Sequence, residues 1–205
     1  MKQVFFIFTL VAASITLNPA RVSAQQVYDD DIYVIERTGD IPENETNRER
    51  KARIERDHEI VDSIYNLKAV RAVQDGYFVL QATEVSNGRG VYSLGLNNNT
   101  NFLLMQGEKG IFQVAFNNFD PGLNGLGGMT LHGTIGKKDI KTDKKGNTII
   151  TYHMRGMHMN ASVTVTIFKE SDHAIADVYP TMGNGRITLR GRLVPYRNDN
   201  IQITP

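Results

Sequence analysis

Between Asn147 and Lys169 the chain alternates apolar and polar residues on both sides of Arg155-Gly156. Few folds accept such a stretch. A two-residue turn at Arg155-Gly156 sets Met154 opposite Met157, His153 opposite His158 and Tyr152 opposite Met159. Successive strand residues point to opposite faces. Ile150, Tyr152, Met154, Met157, Met159, Ala161, Val163, Val165 and Ile167 therefore share one face. Thr151, His153, His158, Asn160, Ser162, Thr164 and Thr166 share the other. A slip of one residue would turn the apolar set to water. The expected unit is an antiparallel hairpin buried on one side.

The same period continues through most of the chain from Tyr77 onward. Phe78, Leu80 and Ala82 alternate with Tyr77, Val79 and Gln81, up to the hairpin signal Asn87-Gly88. Further strands are expected at 91–96, 101–106, 111–116, 129–141, 148–154, 174–182 and 186–194. Their punctuation is Gly107-Glu108-Lys109-Gly110, the glycine-rich stretch 117–128, Asp143-Lys144-Lys145-Gly146 and Asn184-Gly185. The fold class is mainly β with one long N-terminal helix: an antiparallel β-barrel or β-sandwich of about eight strands joined by tight turns. The helix runs from Glu43 to about Ala72, free of glycine and proline. Ile54, Val61 and Tyr65 recur on one stripe, widened by Ile60, Ile64 and Leu67, to cover an open end or face of the sheet. The opposite face carries charges of both signs, as a solvated helix does.

The N-terminus reads as export. Lys2, the apolar stretch Val4–Leu17 and the small residues Val22-Ser23-Ala24 have the layout of a cleavable signal peptide, residues 1–24. Residues 25–42, with Asp29-Asp30-Asp31, read as a linker, and 43–205 as a single domain. Removing Lys2 and Arg21 from 23 basic residues leaves 21 against 22 acidic ones. A balance this close to neutral speaks against a nucleic-acid binder. The apolar stretch is short for a membrane span and Pro19 follows it, so an integral membrane protein is not expected. Without cysteine, disulfides contribute nothing and the core alone holds the fold.

Four segments together resemble one family. They are Gly76-Tyr77-Phe78-Val79-Leu80-Gln81-Ala82, Asn101-Phe102-Leu103-Leu104-Met105-Gln106, the run from Gly122 to Gly133, and Arg186-Ile187-Thr188-Leu189-Arg190-Gly191-Arg192-Leu193. In that order they are similar to the family catalogued as domain of unknown function 4251, exported proteins of Bacteroides-type bacteria. The resemblance covers the helix and all the strands. It implies a periplasmic or cell-surface location and a helix-plus-β domain, and brings no cofactor or catalytic residue.

Candidate sites come from the strands. His153 and His158, directly cross-strand in the register above, would bring two imidazoles within about 5 Å at Cβ, close enough to share a transition metal. The methionines of the hairpin fall on the other face and serve as core. Phe102, Phe112, Phe116 and Tyr152 are candidates to line an interior cavity for a small apolar or amphipathic ligand. The glycine-rich stretch 121–128 leads into a strand rather than a helix, so it is not a phosphate cradle. Lys137, Lys138, Lys141, Lys144 and Lys145 gather at one hairpin, as edge protection or as a contact for an anionic surface. Arg186, Arg190 and Arg192 form an outward row for helix carboxylates. No catalytic motif is present. The leading expectation is a non-enzymatic exported binding module without a cofactor, its partner a small apolar ligand or a cell-envelope component. The alternatives are a structural or protein-interaction domain with a solid core, and a hydrolase with dispersed residues.

Overall fold

The computed structural model describes residues 45–86, 100–115, 128–157, 160–181 and 185–196, together with the backbone of the strands at 22–26, 33–37 and 91–94. The chain forms two compact units, 1–61 and 62–205.

In the first unit β1 (Val22–Gln26) and β2 (Tyr33–Arg37) pair antiparallel, Ala24 opposite Ile35. The expected processing point after Ala24 falls inside β1, and β2 lies in the segment read as a linker. Helix α1 (Asn47–Asp75) contributes residues to both units. It begins later than the expected Glu43 because Thr46 caps it. The Glu49 carboxylate accepts from the Thr46 N–H at 2.9 Å, and the Thr46 hydroxyl accepts from the Glu49 N–H at 3.3 Å. This reciprocal pair satisfies donors that the first turn leaves open. Its signal, Thr46-x-x-Glu49, stood in the sequence. Glu45 and Arg53 add a bidentate ion pair, with Nη2 to Oε2 at 2.8 Å. The helix ends at Gly76, whose φ of 77° is the left-handed stop that glycine adopts without a Cβ clash.

The second unit is built on β3 (Tyr77–Ser86), β4 (Val91–Leu94), β5 (Phe102–Gln106), β6 (Lys109–Val114), β7 (Met129–Ile135), β8 (Asp139–Thr142), β9 (Thr148–Gly156), β10 (Asn160–Ile167), β11 (His173–Pro180) and β12 (Ile187–Pro195). Eight of them close a ring in the order β10, β11, β12, β3, β5, β6, β7, β9, and β9 returns to β10. Every pairing is antiparallel. The choice between barrel and sandwich thus falls to a closed barrel. β4 flanks β3, and β8 follows β7 along the same edge of β9. The single strand expected at 129–141 is broken there at Gly136, whose N–H donates to the His153 carbonyl at 2.9 Å.

The β9–β10 hairpin has the expected faces but not the expected register. Tyr152 lies opposite Val163, Met154 opposite Ala161 and His153 opposite Ser162, and the last pair is Arg155 with Asn160. A two-residue turn would have forced Arg155 into a backbone conformation with positive φ. Because the displacement is an even number of residues, each side chain keeps its face. Met157 is the exception: expected in the core, it is 91% exposed beyond the end of the ladder. Met159 and His158 lie outside the described residues, as do Asn87-Gly88, the glycines 122, 125 and 127, and Asn184.

Inward side chains fill the ring. Phe78, Leu80, Leu103, Phe112, Ile150, Tyr152, Met154, Val163, Val165, Ile167, Leu189 and Leu193 belong to one buried cluster. Burying each large one is worth about 1.5–3 kcal/mol. Met154 runs across Gly110 and Gly133: its Sδ lies 2.6 Å from where a Gly110 Cβ would stand, and its Cγ 2.6 Å from that of Gly133. The two glycines make the space that this side chain occupies. At the end of the ring where β3 starts, Ala69, Ala72 and Val73 of α1 join the same cluster. Asn66 anchors the helix there, its Nδ2 donating to the carbonyls of Phe168 (2.8 Å) and Ser171 (2.7 Å) in the β10–β11 turn. The last turns of the helix therefore cover that mouth, but through Ala69, Ala72 and Val73 and not through the expected stripe: Ile54 and Leu67 are exposed, and Ile60, Val61, Ile64 and Tyr65 are only half-buried.

Candidate functional site

The four aromatic candidates do not line one space. Phe112 and Tyr152 point inward and belong to the interior cluster. Phe102 points outward. It is fully buried with Val79 and Leu104 against Ile111, Val194 and Tyr196 in a second cluster outside the ring. The reason is parity: Leu103 pairs with Phe112 and shares its face, so its neighbour Phe102 takes the other side. Phe116 lies outside the described residues.

Tyr152 is the chemically distinctive interior group. Its hydroxyl is fully buried and has no hydrogen-bond partner among the described residues. Burial alone pushes its ionisation well above the ordinary tyrosine range, because a phenolate in an apolar ring would have no solvation. A buried hydroxyl without a partner costs about 1–3 kcal/mol.

The ladder does not set His153 opposite His158. His153 is exposed and faces Ser162, and His158 lies outside the described residues. The geometric basis of the metal reading, two imidazoles directly opposite, is therefore absent from the ladder. Among the described residues no group of three or more histidine and carboxylate side chains is placed to hold a metal.

Two arginines of the expected row, Arg186 and Arg192, find partners in strand and turn aspartates rather than helix carboxylates. Arg192 Nε meets both oxygens of the buried Asp172, at 3.1 and 2.8 Å, and its guanidinium stands 5.2 Å from the Tyr65 ring centre. Asp172 also accepts from the Leu193 N–H through its backbone carbonyl at 2.8 Å. This knot fastens β12, the β10–β11 turn and the helix. Its arginine is half exposed, which limits its energetic worth. Arg186 approaches Asp177 at 3.7 Å, and Asp177 accepts from the Thr188 hydroxyl. Sequence reasoning singled out the arginines but not Asp172 or Tyr65, because pairing across such sequence distance leaves no local pattern.

A polar knot supports the outer cluster. Asn101 accepts from the Ala115 N–H at 2.8 Å. Gln113 donates to the Thr100 carbonyl at 3.1 Å and accepts from the Thr130 hydroxyl at 3.3 Å. Both side chains are buried, and these bonds answer the cost of burial.

The basic hairpin is rigid. The Asp143 carboxylate accepts from the Lys145 N–H (2.8 Å), the Asn147 N–H (2.9 Å) and Asn147 Nδ2 (2.8 Å). Chiefly the Asn147 backbone bond holds its carboxyl below the usual carboxylate range. Gly146, with φ of 85°, closes the turn.

Among curated proteins no match was found. The family described as "Domain of unknown function (DUF4251)" matches residues 62–193. A crystal structure of a DUF4251 family protein from Bacteroides eggerthii DSM 20697 is similar at 33% sequence identity and a TM-score of 0.57, covering 67% of this chain and 91% of that one. The matched residues span the second unit from the mouth-covering turns of α1 to the inward Leu193 of β12, and the chain belongs to the DUF4251 family.

Proposed function

We propose that this protein is an exported, non-catalytic interaction module of the cell envelope that works through its outer surface. One observation carries the reading: the barrel interior is occupied by its own side chains, with Met154 laid across Gly110 and Gly133 and α1 residues continuing the cluster at one mouth. An interior filled by its own side chains in this way favours the outer surface as the place of contact. The export part rests on Lys2, the apolar stretch after it and Val22-Ser23-Ala24. Among the described residues no helix is long and apolar enough to cross a membrane.

Native mass spectrometry of the protein purified from its own cells tests both parts. The expected result is a chain beginning at Gln25, free of small-molecule adducts, with or without a protein partner. A stoichiometric small-molecule adduct would overturn the surface reading, and an unprocessed N-terminus in the cytoplasmic fraction would overturn export. The second reading, a barrel that binds a small amphipathic ligand, is favoured by the unpartnered Tyr152 hydroxyl. An adduct lost in Tyr152→Phe would make it the better one.

A further inference from the structure

We propose that the barrel end formed by the β8–β9 and β10–β11 turns docks on a bilayer surface carrying anionic phospholipid headgroups. The proposal rests on the surface reading above and names its partner class.

Charge is the first argument. Between Lys137 and Lys145 stand five lysines and two aspartates. Both aspartates are engaged: Asp139 pairs with Lys141 at 2.5 Å, and Asp143 holds its own turn. Lys138 turns back toward the helix end, its Nζ 2.6 Å from where a Gly76 Cβ would stand. Lys145 stands near the Asp143 carboxylate, and Lys137 and Lys144 have no acidic partner among the described residues. In a chain whose net charge is only +1, this is a local concentration of positive charge, not a general basic character.

Apolar exposure at the same end is the second. The Lys169 N–H donates to Asn147 Oδ1 at 3.0 Å and locks the two turns together. Phe168, beside Lys169, is 39% exposed, and Ile140 on β8 is 38% exposed. On the helix side Leu67 is 64% exposed, next to the Asn66 that binds the Phe168 carbonyl. Lysines and exposed apolar side chains at one end of the barrel suit a surface with phosphates above and acyl chains beneath. A nucleic acid or an acidic glycan would use the lysines and leave Phe168, Ile140 and Leu67 in water. Because hydrogen bonds fix both turns, docking requires little ordering of backbone.

The test is co-sedimentation of the protein purified from its own cells with vesicles of phosphatidylcholine alone and of phosphatidylcholine with phosphatidylglycerol, and on a column of a sulfated polysaccharide. The expected result is binding only where phosphatidylglycerol is present, weakened by salt. Each lysine of the tip should contribute about five-fold, so Lys144→Glu with Lys145→Glu should reduce binding at least ten-fold. Phe168→Ser should reduce it several-fold, without changing polysaccharide retention. Unchanged thermal unfolding of these surface variants shows that the fold is kept. Equal binding to both vesicle types, binding untouched by charge reversal, or retention by polysaccharide alone would overturn the docking. Capture of a protein partner by cross-linking without vesicle binding would overturn the docking but leave the surface reading standing. An interior adduct by native mass spectrometry would remove the surface reading whatever the vesicles show.

Discussion

β10 and β5 are both barrel strands, yet they bury their side chains by different rules. On β10, Ala161, Val163, Val165 and Ile167 are buried while Ser162, Thr164 and Thr166 are half exposed. On β5, Phe102, Leu103, Leu104 and Met105 are all buried. Leu103 and Met105 enter the ring interior, and Phe102 and Leu104 form the outer cluster with Val79. One wall of the barrel is thus wetted on its outside and the other is dry on both. The difference teaches how to read a strand: alternation reports one buried face, and an unbroken apolar run reports two.

The strongest test of that contrast removes one aromatic from each face of the dry wall. Phe112→Ala inside and Phe102→Ala outside should each lower unfolding free energy by about 3–5 kcal/mol in chemical denaturation. A loss below about 1 kcal/mol for Phe102 alone would mean that the outer cluster is open to water and the wall no different from β10.

Next comes the interior fit. Gly110→Ala should cost about 1–3 kcal/mol, since the new methyl meets Met154 Sδ and Ile135. In a Met154→Ala background that cost should shrink, giving a coupling of about 0.5–3 kcal/mol in a double-mutant cycle. Additive costs would show that Met154 does not occupy the glycine space.

Alkaline titration sharpens the same interior. The folded-state ionisation of Tyr152 is raised above its unfolded value near 10. The stabilising difference is therefore intact below pH 10 and is lost as pH rises above it, where only the unfolded chain sheds the proton. The slope should be about 1.4 kcal/mol per pH unit from this group. Tyr152→Phe should abolish that slope and leave neutral-pH stability within about 1 kcal/mol or slightly higher. A marked loss at neutral pH would show that the hydroxyl has a partner and favour the ligand reading.

The smallest effect belongs to Met157. Although a two-residue turn at Arg155-Gly156 would set it on the core face opposite Met154, Met157→Ser should change stability by about 0.5 kcal/mol at most. Met154→Ala should cost about 2–5 kcal/mol.

Much of this was legible beforehand. The alternation around Tyr152 and Val163 assigned each side chain its face, and survived a wrong register because the displacement was even. The Asp143–Gly146 turn was equally plain, whereas the stripe expected on α1 is not the face that packs: Leu67 is exposed while Ala69, Ala72 and Val73 are buried. The start of α1 was missed although Thr46-x-x-Glu49 stood in view. The unbroken Phe102–Met105 run was also there to be read as two buried faces, but Phe102 was grouped with Phe112 as though one face sufficed. The Arg192–Asp172–Tyr65 knot could not be read, since it joins a strand, a turn and a helix far apart along the chain.

What the sequence determined alone was local and periodic: a helix, a series of antiparallel strands, and the side of each strand that must leave water. Those follow from backbone geometry and the cost of exposing apolar surface, which act residue by residue. Closure of the strands into a ring was decided by tertiary structure, through the pairing of β9 with both β7 and β10. So was the seating of Met154 over two glycines, and the gathering of lysines with Phe168 at one end. Each depends on residues meeting across long stretches of chain, and parity along a strand carries no information about which strand lies beside it.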